Sequence, residues 1–344
     1  MSKIVGLNRR SFIKNAGMTA LAGVAGAVTN TASAQSSSSI PRLRDGKYDF
    51  DTPYNRVGTN CSRWDSPAGK YPPGVFKYGM GVASMDFECA PCITEALEER
   101  VQHHNWGYIS TTEPLRDGIV KWNGERHGVD LDPASVTISD GVYPGVIAAL
   151  RAFVPTGNKV LLTTPAYSGF YSMAGGARVG TVDSQMRYVN GRYEIDWEDL
   201  ESKMTADVSA MIVCNPQNPT GNVWTKEELL RIGRLCVEHK IVVLADEIHS
   251  DVVRAGHKYV PFASLPDEQV VNNAVSFNAV SKTFNLAAMK NAYFYSKNPT
   301  LAARVNQFHR AELSTLGVVA NEAAYNYGAE WFDQANAYLD NNHT

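Results

Sequence analysis

Two apolar runs, residues 209–214 (polar only at Ser209) and 241–245, bracket a stretch in which apolar and polar residues recur with helical spacing. A strand that is apolar at every position has both faces buried, as in a parallel sheet covered by helices on each side. The stretch between them, 225–239, reads as an amphipathic helix with Thr225 as its N-cap. Shorter apolar stretches at 136–139, 159–163, 274–277 and 292–295 read as further strands. Residues 91–103, with Ile93, Leu97 and Val101 four apart, and residues 144–153 read as helices. From 299 onward the pattern is helical, with aromatic residues crowded between positions 325 and 338. The expected fold class is α/β, a mainly parallel sheet with helices on both faces.

The chain of 344 residues has room for one large domain and part of a second. Its net charge of −3 argues against a nucleic-acid partner. That charge is uneven. Residues 1–34 hold Lys3, Arg9, Arg10 and Lys14 and no acid. A short apolar run, 18–28, follows, and then Ala32, Ser33 and Ala34 before a Ser-rich segment. Basic start, apolar core and A-x-A exit describe an export signal, and the core is far short of the ~20 residues of a membrane span. Asn8-Arg9-Arg10-Ser11-Phe12-Ile13-Lys14 is similar to a twin-arginine signal. The expected location is periplasmic or exported, after cofactor loading. Residues 35–80 read as a linker and an arm rich in Gly, Pro and aromatics, packed on another surface.

Five cysteines, Cys61, Cys89, Cys92, Cys214 and Cys236, are too few and too scattered for a disulfide framework. Cys89-Ala-Pro-Cys92 has redox spacing, but it opens a helix and reads as two small residues at its entrance. No histidines stand at zinc-ligand spacing beside it, so no metal is expected.

Four motifs follow strands, where open α/β sheets bind their ligands. Asp140-Gly141-Val142-Tyr143-Pro144 is a strand-to-helix turn whose N–H groups could face a phosphate. Asn215-Pro216-Gln217-Asn218-Pro219-Thr220-Gly221 is a rigid turn that can hold an Asn side chain at the sheet edge. Ala245-Asp246-Glu247-Ile248-His249 puts an acid at a buried strand's exit, where it needs a cationic partner or serves as an N-cap. Ser281-Lys282-Thr283-Phe284-Asn285-Leu286 puts a lysine where desolvation would activate its amine; a lysine without function is poorly placed at a helix start.

In this order and spacing the motifs resemble the fold type I pyridoxal-phosphate enzymes of the class I/II aminotransferase superfamily. Asn218 to Asp246 is 28 positions, Asp246 to Lys282 is 36 and Lys282 to Lys290 is eight. The resemblance runs from about residue 48 to the end. It implies pyridoxal 5'-phosphate as cofactor and a role for each matching residue. Lys282 would bind the cofactor covalently and act as the catalytic base. Asp246 would keep the ring nitrogen protonated, and Asn218 would donate to the phenolic oxygen. Tyr167 would stack on the ring. Gly141, Val142 and Ser281 would cradle the phosphate, with Lys290 where many relatives carry a phosphate-binding arginine. Tyr108 would reach the phosphate of a neighbouring subunit, making the protein a homodimer with shared sites.

Within the superfamily the chain is similar to the cystathionine β-lyase branch, the cysteine-S-conjugate lyases. Asn55-Arg56-Val57-Gly58-Thr59-Asn60, Cys61-Ser62-Arg63-Trp64-Asp65 and Ser84-Met85-Asp86-Phe87 carry that likeness. So does His249, which stands where many aminotransferases place a Tyr. Two positions depart from the pattern: Ala279, where relatives usually have a small hydroxyl residue, and Asn291, which replaces a small one. The implied activity is a β-elimination on cystathionine-like or cysteine-S-conjugate amino acids, releasing a thiol, pyruvate and ammonia. An aminotransferase acting on a 2-oxo acid, and a cofactor-binding protein without turnover, are the alternatives. The implied domains are a signal at 1–34, linker and arm at 35–80, a large cofactor domain at 81–310, and at 311–344 a helix leading into a small domain present only in part. No residue matches the arginine that in relatives grips the substrate carboxylate.

Overall fold

The computed structural model describes residues 45–343 apart from Pro73; the expected export signal and most of the linker lie outside the described residues. The apolar runs form the middle of a seven-stranded sheet. Its strands are β1 (Thr137–Ser139), β2 (Lys159–Thr164), β3 (Gly180–Gln185), β6 (Val208–Cys214), β7 (Val242–Asp246), β8 (Ala274–Asn278) and β9 (Ala292–Tyr295). A separate polar hairpin pairs β4 (Arg187–Val189) with β5 (Arg192–Glu194). The sheet order is β1-β9-β8-β7-β6-β2-β3, and β9 alone runs against its neighbours. The carboxyl ends of β1, β2, β6, β7 and β8 therefore open on one edge.

The periodicity placed each expected strand within a residue or two of its observed bounds. A helix face and the edge strands departed from the pattern. The helix Pro91–Val101 buries Ile93, but Val101 faces solvent. β3 was not expected, because an edge strand reading Gly-Thr-Val-Asp-Ser-Gln lacks an apolar run.

Helices cover both faces. Val142–Phe153 packs Val146, Ala149 and Leu150 with Val160, Leu162, Ile212 and Phe294 on one face. On the other, Lys226–Glu238 packs Leu229, Ile232 and Cys236 with Met211, Val213 and Val243. Thr225 caps the latter helix as expected: its side chain accepts from Glu228 N at 3.1 Å while the Glu228 carboxylate accepts from Thr225 N at 2.7 Å. Trp224, fully buried just before it, donates Nε1 to Cys214 O at 3.0 Å. Truncating such a side chain to Ala costs about 3–5 kcal/mol, so Trp224 pins the turn after β6 to its strand.

A third cluster joins Pro91–Val101, Glu113–Trp122, Thr315–Tyr327 and Ala329–Asn341 around Ile93, Leu115, Phe284 and Trp331. The arm is anchored to it through Phe50, whose ring lies 4.9 Å from Phe87 and 5.6 Å from Trp331. Farther along the arm, Tyr54, Val57, Tyr71, Val75, Tyr78 and Met80 stay exposed. Among the described residues no helix is long and apolar enough to cross a membrane.

Candidate active site

The register of the central strands builds the site. Cys214 pairs with Asp246 across β6 and β7, and Asp246 pairs with Phe277 across β7 and β8. Asp246 thus ends its strand between the turn that carries Asn218 and the loop that carries Lys282. Its carboxylate is buried, and Oδ1 accepts from Ile248 N at 3.2 Å. Burial raises its pKa to about 6, against the opposing pull of that N–H and of the Lys282 amine. Burial also lowers the pKa of Lys282, while Asp246 holds it up. Lys282 lies in a turn, not at the start of a helix. An amine partly withdrawn from water beside a carboxylate is a nucleophile and base in waiting.

The turn after β6 is held from inside. Gln217 N donates to Asn222 O at 2.7 Å, Gly221 N to Gln217 O at 2.8 Å, and Gln217 Nε2 to Pro165 O at 3.0 Å. Gly221 has φ 75°, which only glycine adopts without strain. This leaves Asn218 half-buried, lining a cavity of about 600 Å³ together with His249. Burial, and after it the Lys282 charge, lowers the His249 pKa to about 4. His249 is therefore a neutral ring at neutral pH, able to donate one hydrogen bond.

Gly141 precedes the Val142–Phe153 helix, whose first turn has no side-chain cap. Its free N–H groups and the helix dipole suit an anion. Tyr167 follows β2 at the same edge with its ring half-exposed, lying over Gly169. Ser281 is half-buried beside Lys282. Lys290 is exposed in a left-handed conformation, and Tyr108 is fully exposed. The two departures from the family pattern are both buried: Ala279 packs in the apolar core, and Asn291 has no hydrogen-bond partner for Nδ2.

These groups fit pyridoxal phosphate. A buried acid could face a ring nitrogen, an amine could take the aldehyde carbon, and an uncapped helix N-terminus could take the phosphate. Asn218 and a neutral His249 could share the phenolic oxygen. An open, mainly parallel sheet with this acid and amine at the carboxyl ends of adjacent strands defines the large domain of a fold type I pyridoxal-phosphate-dependent enzyme. The chain belongs to the aminotransferase class I and II family, whose model matches residues 77–344.

It is 37% identical to the cystathionine beta-lyase PatB of Bacillus subtilis (strain 168), over 85% of this chain and 76% of that protein. It is similar to the solved structure of cystalysin from Treponema denticola, which contains pyridoxal 5'-phosphate: TM-score 0.81, 30% identity, 86% of this chain and 76% of that one. It is also similar to the PLP-bound C-S lyase from Staphylococcus hominis: TM-score 0.79, 31% identity, 86% of this chain and 75% of that one.

One part of the site escaped the sequence reading. The buried Asp251 carboxylate accepts from Trp122 Nε1 at 3.0 Å and from Thr283 Oγ1 at 2.6 Å, and lies 2.7 Å from His127 Nε2. These donors hold its pKa below the usual range despite burial. Asp251 follows His249 by two residues, and Thr283 follows Lys282 by one, so this carboxylate ties the two loops together. In the same loop, Asn285 Oδ1 accepts from Met85 N at 3.1 Å while Asn285 Nδ2 donates to Met85 O at 3.2 Å, joining the segment just after the arm to the lysine loop. The only sequence signal for Asp251 was its nearness to Asp246.

Proposed function

We propose that the protein is a pyridoxal-phosphate-dependent carbon–sulfur β-lyase. Its substrates would be cystathionine-like or cysteine-S-conjugate amino acids, converted with one water into a thiol, pyruvate and ammonia. The observation that carries this reading is the buried Asp246 beside the Lys282 amine, with a neutral histidine, His249, three residues after the acid. The relatives named as cystathionine beta-lyase and C-S lyase support it.

Bound at this site, pyridoxal phosphate supplies a ring that takes up the electron pair left at the substrate α-carbon. The protein does the rest. Asp246 would hold a proton at the ring nitrogen. Asn218 and His249 would donate to the phenolic oxygen, and Gly141, Val142 and Ser281 would hold the phosphate, with Lys290 at its margin. Tyr167 would cover the ring. The Lys282 amine, made less basic by burial, takes the α-proton as general base. Overall, the pair from the α-carbon–hydrogen bond would become the second bond between the α- and β-carbons as the β-carbon–sulfur pair leaves on the thiolate, and one water would convert the resulting enamine into pyruvate and ammonia.

The test is pyruvate and thiol release by purified, cofactor-loaded protein without any 2-oxo acid. A lyase makes both. An aminotransferase, the alternative suggested by the family's name, makes neither: with an added 2-oxo acid it turns the substrate into its own 2-oxo acid and leaves the carbon–sulfur bond intact.

Two further proposals go with this. The protein acts as a homodimer with shared sites, supported by the exposed Tyr108, Trp106, Tyr78 and Met80; light scattering tests it. It is exported by the twin-arginine route after loading its cofactor, supported by residues 8–14; cell fractionation with Arg9 and Arg10 replaced by Lys tests it.

A further inference from the structure

The cavity that Asn218 and His249 line extends past them. Its lining also includes Arg192, Arg254 and His257, and it contains no aspartate or glutamate. Both arginines are anchored by acids that do not line the cavity. Arg192 Nη2 donates to both carboxylate oxygens of Glu228, at 3.1 and 3.0 Å. Arg254 Nε donates to Asp340 Oδ1 at 3.2 Å. An arginine held through one nitrogen keeps the rest of its planar fork free for another acceptor.

The turn that presents Arg254 and His257 is built rigidly. His257 N donates to Arg254 O at 3.1 Å, and Gly256 between them has φ 81°. The helix Ala329–Asn341 grips the same turn from outside. Asp340 Oδ1 also accepts from Ala255 N at 3.3 Å, and Asn336 Nδ2 donates to Val253 O at 3.2 Å. A cation whose position is already fixed loses little freedom on binding, so more of the contact energy goes into affinity.

An acid-free lining with two arginines and a histidine, in the cavity that Asn218 and His249 share, suits an anion. An alkyl thioether would offer no acceptor to the remaining nitrogens of Arg254 and Arg192, and a distal ammonium would find no carboxylate in the lining. We propose that Arg254, with His257 and Arg192 in the same lining, recognises a carboxylate at the far end of the sulfur substituent. The preferred substrates are then thioether amino acids that end in an acid, and a distal amine contributes nothing. The proposal rests on the lyase reading above and adds a substrate class to it.

The experiment compares S-(2-carboxyethyl)-L-cysteine with its uncharged amide, S-(2-carbamoylethyl)-L-cysteine, and with L-cystathionine, on the cofactor-loaded protein. The acid should exceed the amide about tenfold in kcat/KM, mostly through KM. Arg254→Met should bring the two within about twofold by slowing the acid alone. L-Cystathionine should be no better than the simple acid. A second readout needs no turnover: calorimetry with 3-(methylthio)propanoate and its amide should show tighter binding of the acid, lost in Arg254→Met. Equal use of acid and amide by the unmodified protein, or a preference that survives Arg254→Met, overturns the proposal and leaves the lyase reading standing. If no thioether is cleaved, the lyase reading fails, and calorimetric binding of acid and amide alike overturns the carboxylate site as well.

Discussion

Asp246 ends β7, Lys282 lies in the turn that follows the adjacent strand β8, and each acts on the charge of the other. Burial favours the neutral form of both, and their mutual attraction opposes it. A carboxylate held near its titration point beside a partly desolvated amine suits a site that must receive a cationic ring nitrogen and a reactive carbonyl carbon. Either group alone would be a costly buried charge.

Replacing Asp246 with Asn keeps the shape and removes the charge. The cofactor should still become attached to Lys282, because attachment needs the amine. Turnover should fall about 10²–10³-fold through kcat. Steady-state kinetics together with the absorbance of bound cofactor separate the two effects.

His249 should be neutral across the working range. Its pKa is lowered from 6.5 to about 4, so the folded protein binds this proton less tightly than the unfolded chain. The stability it contributes is full above pH 6.5 and is lost as pH falls towards 4. NMR titration of the His249 ring in the cofactor-free protein should give a midpoint near 4, and His249→Gln should leave the pH–rate profile without a shift between pH 6 and 8.

Glu247 should have the opposite effect. Burial raises its pKa from 4.5 to about 7, although Oε1 accepts from Phe262 N at 2.8 Å. The folded state then holds the proton more tightly than the unfolded one, so stability falls as pH rises from about 4.5 to 7. Glu247→Gln keeps the Phe262 bond and removes the charge. Urea unfolding of the cofactor-free variant should show a flatter pH dependence over that window, and more stability than the parent at pH 8.

Asp251→Ala leaves the buried Trp122 and Thr283 donors without an acceptor. We expect a loss of about 3 kcal/mol in urea unfolding, because the orphaned donors stay buried. The Asp251 pKa is lowered, so its contribution is present above pH 3.8 and lost as pH falls through the lower folded value. Trp122→Phe removes one donor, leaves the acceptor partnered, and should cost about 1 kcal/mol.

How much the sequence revealed depended on what made each residue necessary. β1, β2 and β6 to β9 were legible because burial in the sheet demands mostly apolar residues in short runs. β3 and the β4–β5 hairpin were not, because edge and surface strands do not need such runs. Lys282, Asp246 and Asn218 were legible as polar residues at or just after strand ends, and the structure places them there. The contacts that support them were not. Asp251 meets Trp122 and His127 from more than 120 residues away, and nothing local marks it. Arg254 and His257 look like ordinary loop residues until the turn around Gly256 and the grip of Asp340 bring them to the same cavity.

Lys282 is the residue on which the proposed chemistry depends. The direct measurement is borohydride reduction of the cofactor-loaded protein, then mass spectrometry of its peptides. The account predicts the pyridoxyl group on the peptide that contains Lys282 and on no other, and its loss in Lys282→Ala together with thiol release. Attachment at Lys290 or another lysine, or unchanged thiol release by Lys282→Ala, would contradict it.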